Sequence, residues 1–123
     1  MASVIVASGD SKGEFLPLGR RISVIGRAES LPLQILDDLV SRKHLRIKFD
    51  ETMNKYLAED LDSKHGTFIN KSKISEATVL VEGDEILLGQ TVLSFTEKDF
   101  DTQESALMHY KKYGERSRVT RIE

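Results

Sequence analysis

Apolar and polar residues alternate through most of the first 97 positions, and turn-forming residues interrupt this alternation at short intervals. The segment HLRIKFD is a clear example, since it places Leu45, Ile47 and Phe49 on one face of a strand. The other face carries Arg46 and Lys48. Similar segments are SVIVAS, EFLPL, RISVIG, LQILDD, KYLAEDL, TFIN, TVLVEG, EILLG and TVLSFTE. Many short strands separated by turns predict an all-β sandwich or barrel.

The alternation ends with the segment TVLSFTE, which suggests a change of structure along the chain. We predict a β-sandwich domain over residues 1–98 and a separate C-terminal tail over residues 99–123. Leu107 and Tyr110 fall at helical spacing, which predicts a short helix near residues 101–113. The polar end of this tail is typical of a flexible connector.

Composition limits the class of protein. The chain has 123 residues, no cysteine and a formal net charge of -2. Without cysteine, neither a disulfide nor a zinc-thiolate site can form. No apolar run reaches the roughly 20 residues of a membrane helix, and the first residues lack the pattern of a secretory signal. We therefore predict a cytoplasmic protein with no membrane partner.

Several predicted loops carry polar residues that are suited to an anion. The segments GRAES, SRKH and DLDSKHG follow or precede strands, and loops at one end of a sandwich lie close together. We expect Arg27, Ser41, Arg42 and Lys64 to converge there. A phosphate monoester carries about -1.5 to -2 charges and three acceptor oxygens. Arginine offers a planar fork for two of these oxygens, and serine or loop amides can satisfy the third.

The order of these motifs resembles the forkhead-associated (FHA) domain, a phosphothreonine-binding module. The matching positions are Gly26-Arg27, Ser41-Arg42-Lys43-His44, Gly66-Thr67 with Asn70, and Gly83-Asp84 with Gly89. The likeness spans roughly residues 3–97. It implies an FHA-type sandwich of about eleven strands and a phosphothreonine-dependent signalling module. The implied partner is a Thr-phosphorylated protein or peptide, such as a Ser/Thr kinase substrate.

The resemblance assigns a role to each matching residue. It implies that Arg27 binds the phosphate, that Ser41 donates its hydroxyl to a phosphate oxygen and that Arg42 also reaches the phosphate. Lys64 and His65 would contact the peptide. The residues implied to support the site are Gly26, His44, Gly66, Thr67 and Asn70.

Two positions depart from the family pattern. His65 stands where the family has an asparagine that holds the peptide backbone, and a histidine ring is larger and directed differently. Lys71 follows Asn70 where a glycine is common, which predicts an altered turn. The phosphate-binding residues therefore match the family, whereas the residue that holds the peptide backbone does not.

An enzyme is a weaker interpretation of the same residues. Ser41 and His44 are three positions apart on a strand and therefore point to opposite faces. Ser63 and His65 share a loop without an evident carboxylate partner. No metal-ligand spacing, phosphate loop or dinucleotide fingerprint occurs. We predict no catalytic residue, no metal and no cofactor.

Three other binding functions remain as alternatives. A basic stripe suits nucleic acid, but aromatic residues for base stacking are sparse, and we predict no nucleic-acid partner. The stripe would comprise Arg20, Arg21, Arg27, Arg42, Lys43 and Arg46. A degenerate FHA scaffold that binds an unphosphorylated partner is kept open by His65. The tail FTEKDFDTQESALMHYKKY is similar to connectors in larger signalling proteins such as diguanylate cyclases, with an output domain in the same protein.

Overall fold

The computed structural model describes residues 2–9, 11–98 and 108. The described ranges contain eleven strands: β1 (Ser3–Val6), β2 (Phe15–Pro17), β3 (Ile22–Gly26), β4 (Leu33–Gln34), β5 (Leu45–Asp50), β6 (Lys55–Asp60), β7 (Thr67–Ile69), β8 (Ser72–Lys73), β9 (Thr78–Leu80), β10 (Glu85–Leu88) and β11 (Thr91–Thr96). The helix predicted near residues 101–113 lies outside the described residues, apart from Met108. Within the described part, no helix is long and apolar enough to cross a membrane.

The strands form two sheets that pack face to face. One sheet has six strands in the order β2-β1-β11-β10-β7-β8, and the other has five in the order β4-β3-β5-β6-β9. Neighbouring strands are antiparallel, except for the short parallel pair of β3 and β4. The predicted all-β sandwich is therefore confirmed.

The core lies between the two sheets and follows the alternation of the sequence. In β5, Leu45 and Ile47 are buried in the core and Phe49 packs against it, whereas Arg46 and Lys48 lie on the outer face. Opposite them, the six-stranded sheet contributes residues such as Leu93 and Phe95. Full burial of each such side chain stabilises the fold by about 1.5–3 kcal/mol.

The antiparallel order brings several connections to one end of the sandwich. β3 and β6 finish at this end, and β5 and β7 start there. The connections β3–β4, β4–β5 and β6–β7 therefore lie side by side, and they hold the polar residues that the sequence singles out. Asp37 in the β4–β5 connection also bonds the β10–β11 turn, because its carboxylate accepts from the Gln90 amide and the Thr91 hydroxyl, both at 2.8 Å.

β7 and β8 form a hairpin whose two turn residues are Asn70 and Lys71. Their φ angles are 49° and 74°, so both lie in the left-handed region, as a type I′ turn requires. Lysine thus occupies a left-handed position in this turn, and the expectation that the turn differs from that of the family stays a prediction. Strand β8 had no counterpart among the predicted segments, since its two residues are polar and exposed.

Replacing Lys71 with glycine should stabilise the fold. A residue with a Cβ pays roughly 1–2 kcal/mol in the left-handed conformation, whereas glycine adopts it freely. We expect Lys71→Gly to raise the free energy of unfolding by about 1 kcal/mol in a urea titration. Lys71→Ala is the matched control, because it removes the same charge but keeps a Cβ. Equal stability of the two variants would contradict this account of the turn.

Candidate functional site

Gly26 lets the end of β3 approach the β4–β5 connection closely. The Arg27 amide donates to the Ser41 carbonyl and the Ala28 amide donates to the Arg42 carbonyl, both at 3.0 Å. A Cβ added to Gly26 would lie 2.3 Å from the Arg42 carbonyl oxygen and 2.8 Å from that of Ser41. Only glycine permits this approach, which brings Arg27 next to Ser41 and Arg42.

The Arg27 side chain is oriented by the backbone beside it. Its Nε donates to the Val40 carbonyl oxygen at 3.0 Å, which leaves the terminal nitrogens of the guanidinium group for another acceptor. The side chain of Gln34 donates to the Arg27 carbonyl at 3.1 Å and fixes the backbone at the same position. Arg27 is exposed. The fork of the guanidinium group is thus positioned in advance and open to a ligand.

Ser41 joins two of the connections at this end. Its Oγ accepts a hydrogen bond from the Lys64 backbone amide at 3.0 Å. The hydroxyl proton of Ser41 is then free to donate to a ligand. Ser41 is half-buried, whereas Arg42 beside it is exposed. This arrangement places a neutral donor and two guanidinium groups on adjacent backbone segments.

His44 is fully buried and connects the β4–β5 connection with the β6–β7 connection from the inner side of the sandwich. Its Nδ1 accepts from the Ser41 amide at 3.0 Å, and its Nε2 lies 2.8 Å from the Gly66 carbonyl oxygen. The neutral ring with its proton on Nε2 satisfies both contacts. Because backbone groups use both ring nitrogens, neither is available as a base for a serine. His44 therefore supports the site, and a Ser41–His44 catalytic pair is not formed.

Asp60 organises the β6–β7 connection. Its carboxylate accepts from the Ser63 amide at 3.0 Å, from the Ser63 hydroxyl at 2.5 Å and from the Thr67 hydroxyl at 2.7 Å. The Ser63 hydroxyl in turn accepts from the Gly66 amide at 2.9 Å. Partial burial alone would raise the pKa of Asp60, but these hydrogen bonds together hold it below its ordinary value.

The lowered pKa of Asp60 predicts acid sensitivity. A carboxyl whose pKa is lower in the folded state stabilises the fold above its unfolded pKa of about 3.9, and this stabilisation is lost as the pH falls through the folded pKa. We expect the free energy of unfolding to fall below about pH 4 and to fall less in Asp60→Asn. Urea titrations from neutral to acid pH test this. An identical pH dependence in the variant would contradict it.

Arg27 and Arg42 line a cavity of about 380 Å³ at this end of the sandwich. Its other lining residues are Glu29, Gln34, Leu36, Asp37 and Asp38. Burial would raise the pKa of Asp37, but hydrogen bonds from Leu39, Gln90 and Thr91 lower it, so this carboxylate serves the fold. Because carboxylates share the cavity, an anion would be held by the arginine forks rather than by a broad positive field.

The predicted site residues fall into two groups. Arg27, Ser41 and Arg42 lie together, and the loop of Lys64 and His65 joins them through the bond from the Lys64 amide to Ser41. The side chains of Lys64 and His65 are exposed. Gly66 has a φ of 85° and Thr67 is buried, so both shape this loop. Asn70 lies at the opposite end of β7, where its side chain bonds Asp84 and Glu85, so the structure does not bring it to the site that the resemblance implies it supports.

The residues of the suggested basic stripe do not share one surface. Arg20 lies over the ring of Phe49, 5.6 Å from its centroid, at the end of the sandwich away from Arg27. Arg46 pairs with Glu59 on the outer face of the five-stranded sheet. This distribution does not favour a continuous nucleic-acid groove.

The residues that position the site without reaching a ligand were not predicted from the sequence. Asp60 and Ser63 shape the β6–β7 loop, Val40 orients Arg27, and Asp37 ties the β4–β5 connection to the β10–β11 turn. A serine three positions after an aspartate at a strand end is a signal for such a loop. The sequence carried no comparable signal for Val40, which acts through its carbonyl.

Comparison with known proteins agrees with this architecture. The family model of the FHA domain matches residues 23–89. The FHA domain-containing protein FhaB of Mycolicibacterium smegmatis is 30% identical over 90 residues, covering 73% of this chain and 57% of that protein. A solved structure from an analysis of phosphothreonine-dependent FHA domain interactions has a TM-score of 0.70 and 26% identity, covering 80% of this chain and 98% of that one. Mycobacterium tuberculosis EmbR in complex with a low-affinity phosphopeptide has a TM-score of 0.69 and 25% identity, covering 80% of this chain and 25% of that one.

The fold and the loop cluster define a two-sheet sandwich that presents arginine and serine donors at one end. The chain belongs to the FHA domain family. It spans just over half the length of the FhaB relatives that it matches.

Proposed function

We propose that this chain binds phosphothreonine-containing peptides or proteins at the end of the sandwich formed by Arg27, Ser41, Arg42 and the loop of Lys64 and His65. The observation that carries the proposal is the placement of two exposed guanidinium groups around one cavity, next to a serine hydroxyl with a free proton. The relatives that are described with phosphothreonine or a phosphopeptide support it.

Arg27 is the main phosphate ligand in this proposal. Its bond to the Val40 carbonyl fixes the direction of the guanidinium group before a ligand arrives, so little side-chain entropy is lost on binding. The two terminal nitrogens then meet two phosphate oxygens as a fork. Arg42 supplies the second positive charge, and the Ser41 hydroxyl donates to the phosphate from the adjacent backbone segment.

Lys64 and His65 act on the peptide around the phosphate. The Lys64 amide is fixed by Ser41, so the loop that follows is held at a set distance from the phosphate ligands. An exposed imidazole carries a donor and an acceptor and can bond a peptide backbone in place of the asparagine found in the family. We assign this role to His65.

The partner in this proposal is a protein phosphorylated on threonine by a Ser/Thr kinase. The threonine methyl adds only about 0.8 kcal/mol of burial, so a preference for phosphothreonine over phosphoserine also draws on the rotamer restriction of a β-branched side chain. We infer a preference for phosphothreonine. Matched phosphothreonine and phosphoserine peptides that bind with equal affinity would contradict this inference.

The experiment that tests the site is an NMR titration of the isotope-labelled chain with a phosphothreonine peptide selected from a degenerate library. The amide signals of Arg27, Ser41, Arg42 and Lys64 should shift most. Shifts confined to another surface, such as the outer face of the five-stranded sheet, would overturn the proposal. The unphosphorylated peptide is the control and should leave these signals unchanged.

A further inference from the structure

The outer face of the five-stranded sheet, on strands β3, β5, β6 and β9, carries apolar residues in register. The pairing of strands aligns Ile22 with Lys48, Lys48 with Leu57, and Leu57 with Val79. Ile22 is 55% exposed and Val79 is 38% exposed, while Leu57 is half-buried. One row of this face therefore presents apolar side chains at both edges and in its interior. Apolar groups in register on an exposed face are typical of a protein interface.

Charged residues occupy the rows on either side. In the row nearer the phosphate-binding end, Arg46 pairs with Glu59 across β5 and β6, and both side chains are partly exposed, at 40% and 38%. In the row farther away, Asp50 on β5 lies opposite Lys55 on β6. Each charged row thus has one sign on β5 and the opposite sign on β6.

We propose that a second copy of this chain binds to this face, through a two-fold axis that runs parallel to the strands. Such an axis places β5 of one copy over β6 of the other, and it places each row of one copy over the same row of the other. Arg46 then faces Glu59 of the second copy, and Asp50 faces Lys55. Opposite charges meet at all four of these positions.

The apolar row fits the same arrangement. The axis places β3 of one copy over β9 of the other, so Ile22 packs against Val79. Lys48 lies over Leu57, where its aliphatic stem covers the apolar side chain.

A two-fold axis that lies in the plane of the face but runs across the strands would place Lys48 of one copy over Lys48 of the other. This axis would also pair Arg46 with Asp50 and Glu59 with Lys55 of the second copy, so the charged rows suit both axes. It is disfavoured because the like charges of the two Lys48 side chains would meet at the centre.

The area of the face predicts a weak dimer. Four strands at a spacing of about 4.8 Å and three rows at about 7 Å give a patch on the order of 300–400 Å² per copy. This is below the roughly 600–1,000 Å² per partner of stable complexes. We therefore expect a dissociation constant of about 0.1–1 mM for the isolated chain. Attachment of both copies to one partner would raise the effective concentration and favour the dimer.

The dimer would bring two phosphate-binding sites together, a consequence that rests on the proposed function. An axis parallel to the strands leaves the phosphate-binding ends of both copies at the same end of the assembly. A partner with two phosphothreonines, or two phosphorylated partners that are themselves paired, would then bind both copies at once, with a gain in avidity. The dimer itself is measured without any phosphopeptide, so its failure and a failure of phosphopeptide binding are separate results.

The test uses sedimentation equilibrium on the chain with Arg46→Glu and Glu59→Arg variants, from about 20 µM to about 1 mM, a range that brackets the expected dissociation constant. Both variants lose the ion pair between Arg46 and Glu59 within the chain. Any loss of stability from this pair is therefore common to the two variants and to their mixture. Each alone places like charges opposite each other across the axis and should stay monomeric. In an equimolar mixture, a copy with acidic side chains at both positions can face a copy with basic side chains at both positions. The mixture should therefore associate.

A rise in the average mass of the parent chain with concentration, absent in each variant and restored in the mixture, is the expected result. A monomeric parent chain up to about 1 mM would overturn the proposal, because the expected constant lies at or below this concentration. Variants that associate as strongly as the parent, or a mixture that stays monomeric, would also overturn it. A circular dichroism spectrum like that of the parent chain shows that each variant is folded.

Discussion

Arg27→Ala should weaken the binding of a phosphothreonine peptide at least tenfold. Hydrogen bonds to charged groups contribute about 1.5–3 kcal/mol each, and 1.4 kcal/mol corresponds to a factor of ten. Arg27 is oriented by its own Nε bond to the Val40 carbonyl, so its terminal nitrogens reach a phosphate with little loss of freedom. Titration calorimetry with a peptide selected from a phosphothreonine library measures the effect.

Two variants separate the geometry of the guanidinium group from its charge. Arg27→Lys keeps the charge but loses both the fork and the Nε bond, and should bind more weakly than the parent chain. Arg21→Ala removes the same charge at the opposite end of β3 and should bind within about twofold of the parent, because exposed charges at that distance are largely screened. If Arg27→Ala bound as tightly as Arg21→Ala, the assignment of Arg27 would be wrong.

His44→Ala should destabilise the fold by about 3–5 kcal/mol. The substitution leaves the Ser41 amide and the Gly66 carbonyl without their partner, at about 1–3 kcal/mol for each buried group, and it also opens a cavity. The connections that carry Ser41 and Gly66 would separate, so phosphopeptide affinity should fall as well. Urea titration measures the stability. Titration calorimetry, at a temperature below the unfolding transition of the variant, measures the affinity.

His65→Ala is the matched control, since His65 is a histidine in the neighbouring loop but is exposed. Its free energy of unfolding should lie within about 0.5 kcal/mol of the parent chain. An equal loss of stability in the two variants would show that the bridge made by His44 contributes little to the fold. A loss of affinity without a loss of stability in His65→Ala is expected from its proposed contact with the peptide.

The strand pattern could be predicted because burial imposes a period of two. In β5, each apolar residue of HLRIKFD faces the core or packs against it, as the alternation indicates. β8 could not be predicted, because Ser72 and Lys73 are exposed and carry no apolar pattern. At Asn70 and Lys71 the sequence indicated a turn but not its conformation, since lysine is disfavoured in the left-handed region that the backbone imposes.

The residues that we propose to contact the phosphate were easier to predict than the residues that support them. Arg27, Ser41 and Arg42 stand in short motifs whose chemistry suits a phosphate, and the structure places them together. The supports act through backbone groups or over long separations in the chain. Asp37 reaches Gln90 and Thr91, more than 50 positions away. Such contacts follow from the antiparallel packing of the sheets and have no local sequence pattern.

Recognition of phosphothreonine is decided by the binding of a degenerate phosphothreonine peptide library to the parent chain, compared with the dephosphorylated form of the same library. We expect binding that depends on the phosphate and that is lost in Arg27→Ala. The selected flanking residues would then describe the partner. Equal binding of the two libraries, or binding of neither, would show that the chain is not a phosphothreonine reader, and a scaffold that binds unphosphorylated partners would explain the fold instead.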